Sequence, residues 1–169
     1  MILDDLMFRP GLMAGQRVLV TGGGTGLGRV MAEAVMALGG DVIIAGRRAS
    51  VLEAASAEMT ELHGTRATPI VCDIRDADSI EAMLDHSWSE GAPTGLINNA
   101  AGNFVSRTED LSPRGFDAIA NIVFRGSFLT TLGCGKRWIA QGTKASVVSI
   151  VTTWVWNGSP FVVPSAMSK

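Results

Sequence analysis

Thr21-Gly22-Gly23-Gly24-Thr25-Gly26-Leu27-Gly28 is the run with the most direct chemical consequence in this sequence. Glycine admits unusual backbone angles and lets a pyrophosphate approach main-chain N–H groups with no side chain between. Where such a turn opens a helix, the unpaired donors of the first helical turn and the positive end of its dipole attract the same anion. The run follows a strand-like segment and precedes a helical one, the context that separates a phosphate cradle from a flexible glycine turn. Thr21, Gly22, Gly24, Thr25, Gly26, Leu27 and Gly28 are therefore candidate cofactor-binding residues.

The next strand-like segment bears on which dinucleotide would sit there. A cofactor with a free ribose 2′-hydroxyl is ordinarily held by an acid at the end of the second strand. Here Val42-Ile43-Ile44-Ala45 runs into Gly46-Arg47-Arg48, and Asp41 precedes the strand, at its wrong end. A guanidinium donates two parallel hydrogen bonds to phosphate oxygens. Arg47 and Arg48 thus point to a 2′-phosphate and to NADP(H), with Arg47 the first choice; a solvated basic pair is the alternative.

These residues need a scaffold, and the rest of the chain supplies a regular one. Arg17–Thr21, 42–45, 68–72, 95–98 and 145–150 read as five short apolar strands. Helical patterns run over 27–38, from a cap at Ser50 to about 62, from about Asp76, and from the Ser112-Pro113 start towards Ala140. Apolar strands that alternate with helices imply a parallel sheet covered on both faces. The expected fold class is α/β: a Rossmann-type doubly wound parallel sheet in three α/β/α layers, with ligands outside the carboxyl ends of the strands. A sheet of six or seven strands needs more than these 169 residues. The sequence is accordingly expected to be truncated at its C-terminus, a single incomplete domain over 1–169 with 1–15 as an N-terminal extension.

Composition narrows the class. The chain is 47% hydrophobic and 18% charged with a formal net charge of −2, which fits a globular domain and gives no electrostatic reason to expect nucleic acid. The acidic start at Asp4 and Asp5 argues against a secretory leader. No run approaches the length of a membrane span, and the cytosol is the expected compartment. Cys72 and Cys134 sit in apolar contexts without companion ligands, as buried free thiols do, so no metal is expected. Of the two histidines, both His63 and His86 are expected at the surface.

The spacing Gly22-x-x-x-Gly26-x-Gly28 resembles that of the short-chain dehydrogenase/reductase family. Two longer strings, Ile97-Asn98-Asn99-Ala100-Ala101-Gly102-Asn103-Phe104 and Phe161-Val162-Val163-Pro164-Ser165-Ala166-Met167-Ser168-Lys169, resemble its 2,4-dienoyl-CoA reductase branch. The resemblance implies hydride transfer from NADPH to a dienoyl-CoA thioester, in an enzyme whose full-length form is commonly a homo-tetramer. By position it implies that Asp73 accepts from the adenine amino group with Ile74 beside it. Asn99, Ala100 and Gly102 would pass close to the nicotinamide ribose, and Lys169 would hold that ribose. Asn103 would donate to the thioester oxygen, and Arg75, Phe104 and Ser112 would touch substrate.

The catalytic positions depart from the family. Its Tyr-x-x-x-Lys is Ser165-x-x-x-Lys169 here, and the chain contains no tyrosine. The dienoyl-CoA reductase branch supplies a tyrosine 15 positions before its lysine; that place is Trp154, whose indole can donate a hydrogen bond but cannot release a proton at useful pH. Thr152 takes the usual serine position. Asn103, Thr152, Ser165 and Lys169 are the catalytic candidates, with Ser165 equally readable as a helix N-cap and Trp154 as an acyl-pocket wall or a buried aromatic. Three functions follow: a reductase of enoyl- or dienoyl-CoA, a carbonyl reductase or alcohol dehydrogenase of the same family, and a nucleotide-binding protein impaired in catalysis.

Overall fold

The computed structural model describes residues 7–169; residues 1–6 of the expected extension lie outside them. Strands β1 (Arg17–Thr21), β2 (Asp41–Gly46), β3 (Ala67–Val71), β4 (Gly95–Asn98) and β5 (Ser146–Ser149) form one sheet in the order β3-β2-β1-β4-β5. Every pairing is parallel, with Leu19 opposite Ile43 on one side and Leu96 on the other. The order reverses between β1 and β4, the switch point where a doubly wound sheet opens a crevice at its carboxyl edge.

Alternation along the strands divides the core into two layers. Val18, Val20, Val42 and Ile44 pack on one face with Ala32, Met36, Leu52, Ala55 and Met59 from α1 (Gly26–Ala37) and α2 (Ala49–His63). Leu19, Ile43, Ala45 and Leu96 pack on the other with Ile80, Met83 and Leu84 from α3 (Ala77–Ser89) and Cys134 and Trp138 from α5 (Ser127–Gln141). The period of two in side-chain direction makes this arrangement necessary once both faces are covered. Pro69 lies in β3, at a sheet edge where its missing N–H leaves no inner ladder broken. The thiols of Cys72 and Cys134 are both buried and free.

Four sequence expectations change. First, α2 begins at Ala49 with Arg48 in the capping position, so Ser50 is inside the helix. Second, the long helix after Ser112-Pro113 is three consecutive segments: α4 (Pro113–Ala120), a π-helical stretch Asn121–Gly126, and α5. Its wide turn passes so close to the β3–α3 connection that a Cβ on Gly126 would lie 2.8 Å from the Ile74 carbonyl oxygen. Third, β5 is exposed at all four residues, whereas every strand was expected to be covered on both faces. Fourth, His63 is half-buried rather than at the surface, while His86 is exposed. Two short helices, α6 (Trp154–Asn157) and α7 (Val163–Met167), follow β5.

Candidate functional site

The glycine turn is shaped by what cannot fit. Gly22 has φ +68°, and a Cβ there would sit 2.9 Å from Asn99 Nδ2 and 3.1 Å from the Ala100 backbone. A Cβ on Gly28 would drive into the Gly22 carbonyl and lie 2.5 Å from Asn99 Nδ2. The first turn of α1 is thus pressed onto the loop between β1 and α1, and the Gly22 and Gly23 amides donate to the Ala45 carbonyl of β2 at 2.7 and 3.3 Å. Thr21, buried beneath it, ties β1 to β4: its hydroxyl donates to the Ile97 carbonyl (3.3 Å) and accepts from the Asn99 and Ala100 N–H groups (3.0 and 3.1 Å). Asn99 Nδ2 donates back to the Thr21 carbonyl at 3.0 Å, while Asn98 Nδ2 reaches Thr131 Oγ1 at 2.8 Å on α5.

Above this turn opens a cleft of about 360 Å³. Gly22, Gly24 and Thr25 form its floor, Arg47 and Arg48 one rim, Asp73, Ile74 and Arg75 another, and Asn99, Ala100 and Gly102 the side towards β4. Its lining also includes Val51, Leu52, Ala101 and Ile122, which the sequence reading did not single out, and Cys72, which it read as a buried thiol. The apolar spacing that marks Leu52 as a helix-core residue carries no sign that the cleft uses it as well. Gly26, Leu27 and Gly28 do not line the cleft. Gly28 acts from beneath, and Leu27 stands 68% exposed at the start of α1.

Charge in the cleft is uneven. Among the described lining residues Asp73 is the one carboxylate, against three guanidiniums. Arg75 folds over Asp73, donating Nε at 2.9 Å to Oδ1 and Nη2 at 2.5 Å to Oδ2, and its backbone N–H adds a bond of 3.1 Å to Oδ1. This pairing holds the Asp73 carboxyl below the usual carboxylate range. Among the described residues the side chains of Arg47 and Arg48 make no hydrogen bond or ion pair and are exposed at the rim.

The expected catalytic residues lie outside this cleft. Lys169 Nζ donates to the Ile150 carbonyl just past β5 at 2.5 Å, and burial lowers its pKa. Thr152 is half-buried in the loop before α6, and Asn103 is exposed beyond Gly102. Ser165 is not an N-cap: Val162 precedes α7, and Ser165 is buried inside that helix. Ser112 caps α4 by accepting from the Gly115 N–H at 3.1 Å, with the Phe104 ring against Gly115. Trp154 is 42% exposed rather than buried and borders a shallower hollow with Val155, Val163, Ala166 and Met167. Among the described residues no three acidic, histidine or cysteine groups converge to hold a metal, and no helix is long and apolar enough to cross a membrane.

Comparison with known proteins gives this geometry a context. The family model described as short chain dehydrogenase matches residues 16–169. An oxidoreductase of Caenorhabditis elegans is 42% identical over 99% of this chain and 54% of its own length. A second protein of that organism, named as a probable 2,4-dienoyl-CoA reductase that produces (3E)-enoyl-CoA, is 40% identical over 99% of this chain and 55% of its own. The crystal structure of a short chain dehydrogenase from Bacillus anthracis superposes with a TM-score of 0.88 at 37% identity, covering 93% of this chain and 65% of that one. The chain spans about half the length of the curated relatives it matches.

Proposed function

This chain belongs to the short-chain dehydrogenase family, and on that premise we propose that the protein is an NADP(H)-dependent oxidoreductase that reduces an enoyl- or 2,4-dienoyl-CoA thioester. The observation that carries the cofactor half of this reading is the end of β2. Two arginines without hydrogen-bond partners among the described residues stand on the cleft rim where β2 ends, and the one lining carboxylate, Asp73 after β3, is engaged by Arg75. The cradle fits a pyrophosphate because side chains at Gly22 and Gly28 would collide with Asn99 and the turn itself. A nicotinamide cofactor bound there would supply the hydride.

The chain's own residues then bind and orient. The Gly22 and Gly23 amides donate to the Ala45 carbonyl, so the amides of Gly24, Thr25 and the start of α1 hold phosphate oxygens, Arg47 takes the 2′-phosphate with Arg48 beside it, and Asp73 faces the adenine. Lys169, tethered to the Ile150 carbonyl, places a cation past the end of β5 for the nicotinamide ribose. Asn103 donates to the thioester oxygen, where negative charge grows, and Thr152 offers a second hydroxyl donor. Arg75, Phe104, Ser112 and Trp154 border the route of the thioester; with Ser112 already engaged in capping α4, its contact is made through the shape of that helix start. Resemblance to relatives named as 2,4-dienoyl-CoA reductases supports the substrate class. Phe124, Phe128 and Leu132, exposed at helical spacing, support a homo-oligomer of the full-length form.

Calorimetric titration with NADPH and NADH, followed by NADPH oxidation in the presence of a 2,4-dienoyl-CoA, tests the reading. NADPH is expected to bind about tenfold tighter or more, with turnover abolished by Lys169→Ala. Equal affinities, or no oxidation, would overturn it. One observation favours a second reading, a dinucleotide-binding protein without turnover: the chain has no tyrosine to relay a proton. NADPH binding without reaction of any acyl-CoA or carbonyl compound would identify that case.

A further inference from the structure

π-Helical turns are rare and concentrate at functional sites, and the one at Asn121–Gly126 touches two walls of the cleft. On one side Ile122 lines the cleft and packs against Gly102, where an added Cβ would lie 2.8 Å from Ile122 Cδ1. On the other side the turn meets the connection after β3. Gly126 abuts the Ile74 carbonyl, and Arg125 Nη1 donates to the Arg75 carbonyl at 2.8 Å. Ile74 and Arg75 both line the cleft. The extra residue in each i→i+5 ring swings residues 122 and 125 further apart than the 3.6-residue α period would, so one segment reaches both walls. Its junction with α5 is fixed by the buried Thr130 hydroxyl, which donates to the Gly126 carbonyl at 2.8 Å. Arg125 is exposed, and among the described residues its guanidinium bonds to nothing but the Arg75 carbonyl. It adds little to the core; its one bond holds the backbone of a cleft wall.

We propose that the π-helical turn sets the gap between these two walls, and that Arg125 is a positioning residue for the dinucleotide, tying the Ile74–Arg75 wall to the turn through the Arg75 carbonyl. The proposal rests on the reading of the cleft given above and deepens it. Arg125 acts through main chain and touches no reacting atom. Without the tie, the wall must be ordered by the ligand as it binds, and that ordering is subtracted from affinity. Arg47 and Arg48 stand on a different rim, so the tie serves dinucleotides with and without a 2′-phosphate alike.

The test begins without ligand. In Arg125→Ala, hydrogen–deuterium exchange should quicken about tenfold over residues 73–76, whose N–H groups bond within the loop and to Ser79, and stay unchanged over 22–28. Titration calorimetry should then show NADPH and NADH both weakened about tenfold, with their ratio and the Tm unmoved. Arg125→Lys can still donate to the carbonyl and should recover most of the affinity. The loss should persist at about 0.5 M salt, where attraction by a distant charge is screened. Unchanged exchange over 73–76 would overturn the proposal whatever becomes of the cofactor. So would quicker exchange with unaltered affinity, since the ligand would then not need the wall held. A loss that vanishes in salt would make Arg125 an electrostatic attractor instead, and a loss that tracks a fall in Tm, with no recovery in Arg125→Lys, would make it a stability residue; both overturn the positioning role. Wild-type protein that binds neither dinucleotide would defeat the dinucleotide reading and the role built on it, while the exchange result would still report on the tie itself.

Discussion

Two ends of one candidate site are built differently. Around β1 and β2 the interior strand residues are buried, the turn is locked to β4 through Thr21 and Asn99, and its shape depends on atoms being absent at Gly22 and Gly28. Around β5 all four strand residues are exposed, and the residues that follow, 150–169, form loops around two short helices, with Lys169 held by one carbonyl. The glycine turn is shaped by steric exclusion, with no room for a Cβ at Gly22 or Gly28. The end proposed as reactive rests on individual side chains, and there the sequence departs from the family pattern, with Ser165 and Trp154 where a tyrosine is expected.

Substitutions can break or sharpen that contrast. The largest effect is expected at the reactive end: Trp154→Tyr restores an ionisable donor and should raise dienoyl-CoA reduction by about 100-fold. A flat or lowered rate in steady-state assays would count against this position as the site of proton transfer. Next comes Gly28→Ala, where overpacking against the Gly22 carbonyl and Asn99 should cost about 1–3 kcal/mol. That corresponds to about a 5- to 150-fold loss of NADPH affinity or an equivalent loss of thermal stability; wild-type values in both would show that the turn has slack. Arg47→Asp should move the ratio of NADPH to NADH dissociation constants by about tenfold or more towards NADH. An unchanged ratio would make the rim arginines a solvated pair.

Smaller effects should follow from helix and charge. Gly135, inside α5, has open space where a Cβ would project, so Gly135→Ala should stabilise by about 0.5–1 kcal/mol. Calorimetric melting would read this as a rise in Tm, and a fall would mean that the helix face needs the gap. The Asp73 carboxyl, lowered by Arg75, contributes stability that is fully present above the ordinary carboxylate pKa and is lost as pH falls through the lowered one. The Tm difference between wild type and Asp73→Asn should thus be present at about pH 7 and shrink as the pH falls below the ordinary carboxylate range. A difference that persists in acid would assign it to packing instead.

Much of the binding half was legible before any coordinates. Five strands, the parallel order and the glycine turn all follow from apolar runs of strand length punctuated by glycine. The arginines after β2 and the asparagines after β4 then fall on the cleft because they follow strand ends. Less was legible where tertiary contact decides. Ser50 looks like a cap, yet α2 starts earlier at Ala49. The π-helical turn at Asn121–Gly126 leaves no mark in periodicity, since it answers to the Ile74 carbonyl across a packed surface. Nothing in local sequence shows that Arg75 would close on Asp73, two residues away, or that Arg125 would pin its carbonyl. The exposure of β5 is equally invisible, because Val147 and Val148 read as any interior strand does.

The pairing of β1 also bears on how such a protein is born. The first of the described strands ends up in the middle of the sheet, yet its second neighbour is encoded far downstream: Arg17 bonds Thr94, 77 positions later. Until β4 has been translated, one flank of β1 must stand with its amides and carbonyls unmet, open to nascent neighbours and to chaperones alike. A feature that gives the mature sheet its crevice thereby sets a period of vulnerability during synthesis.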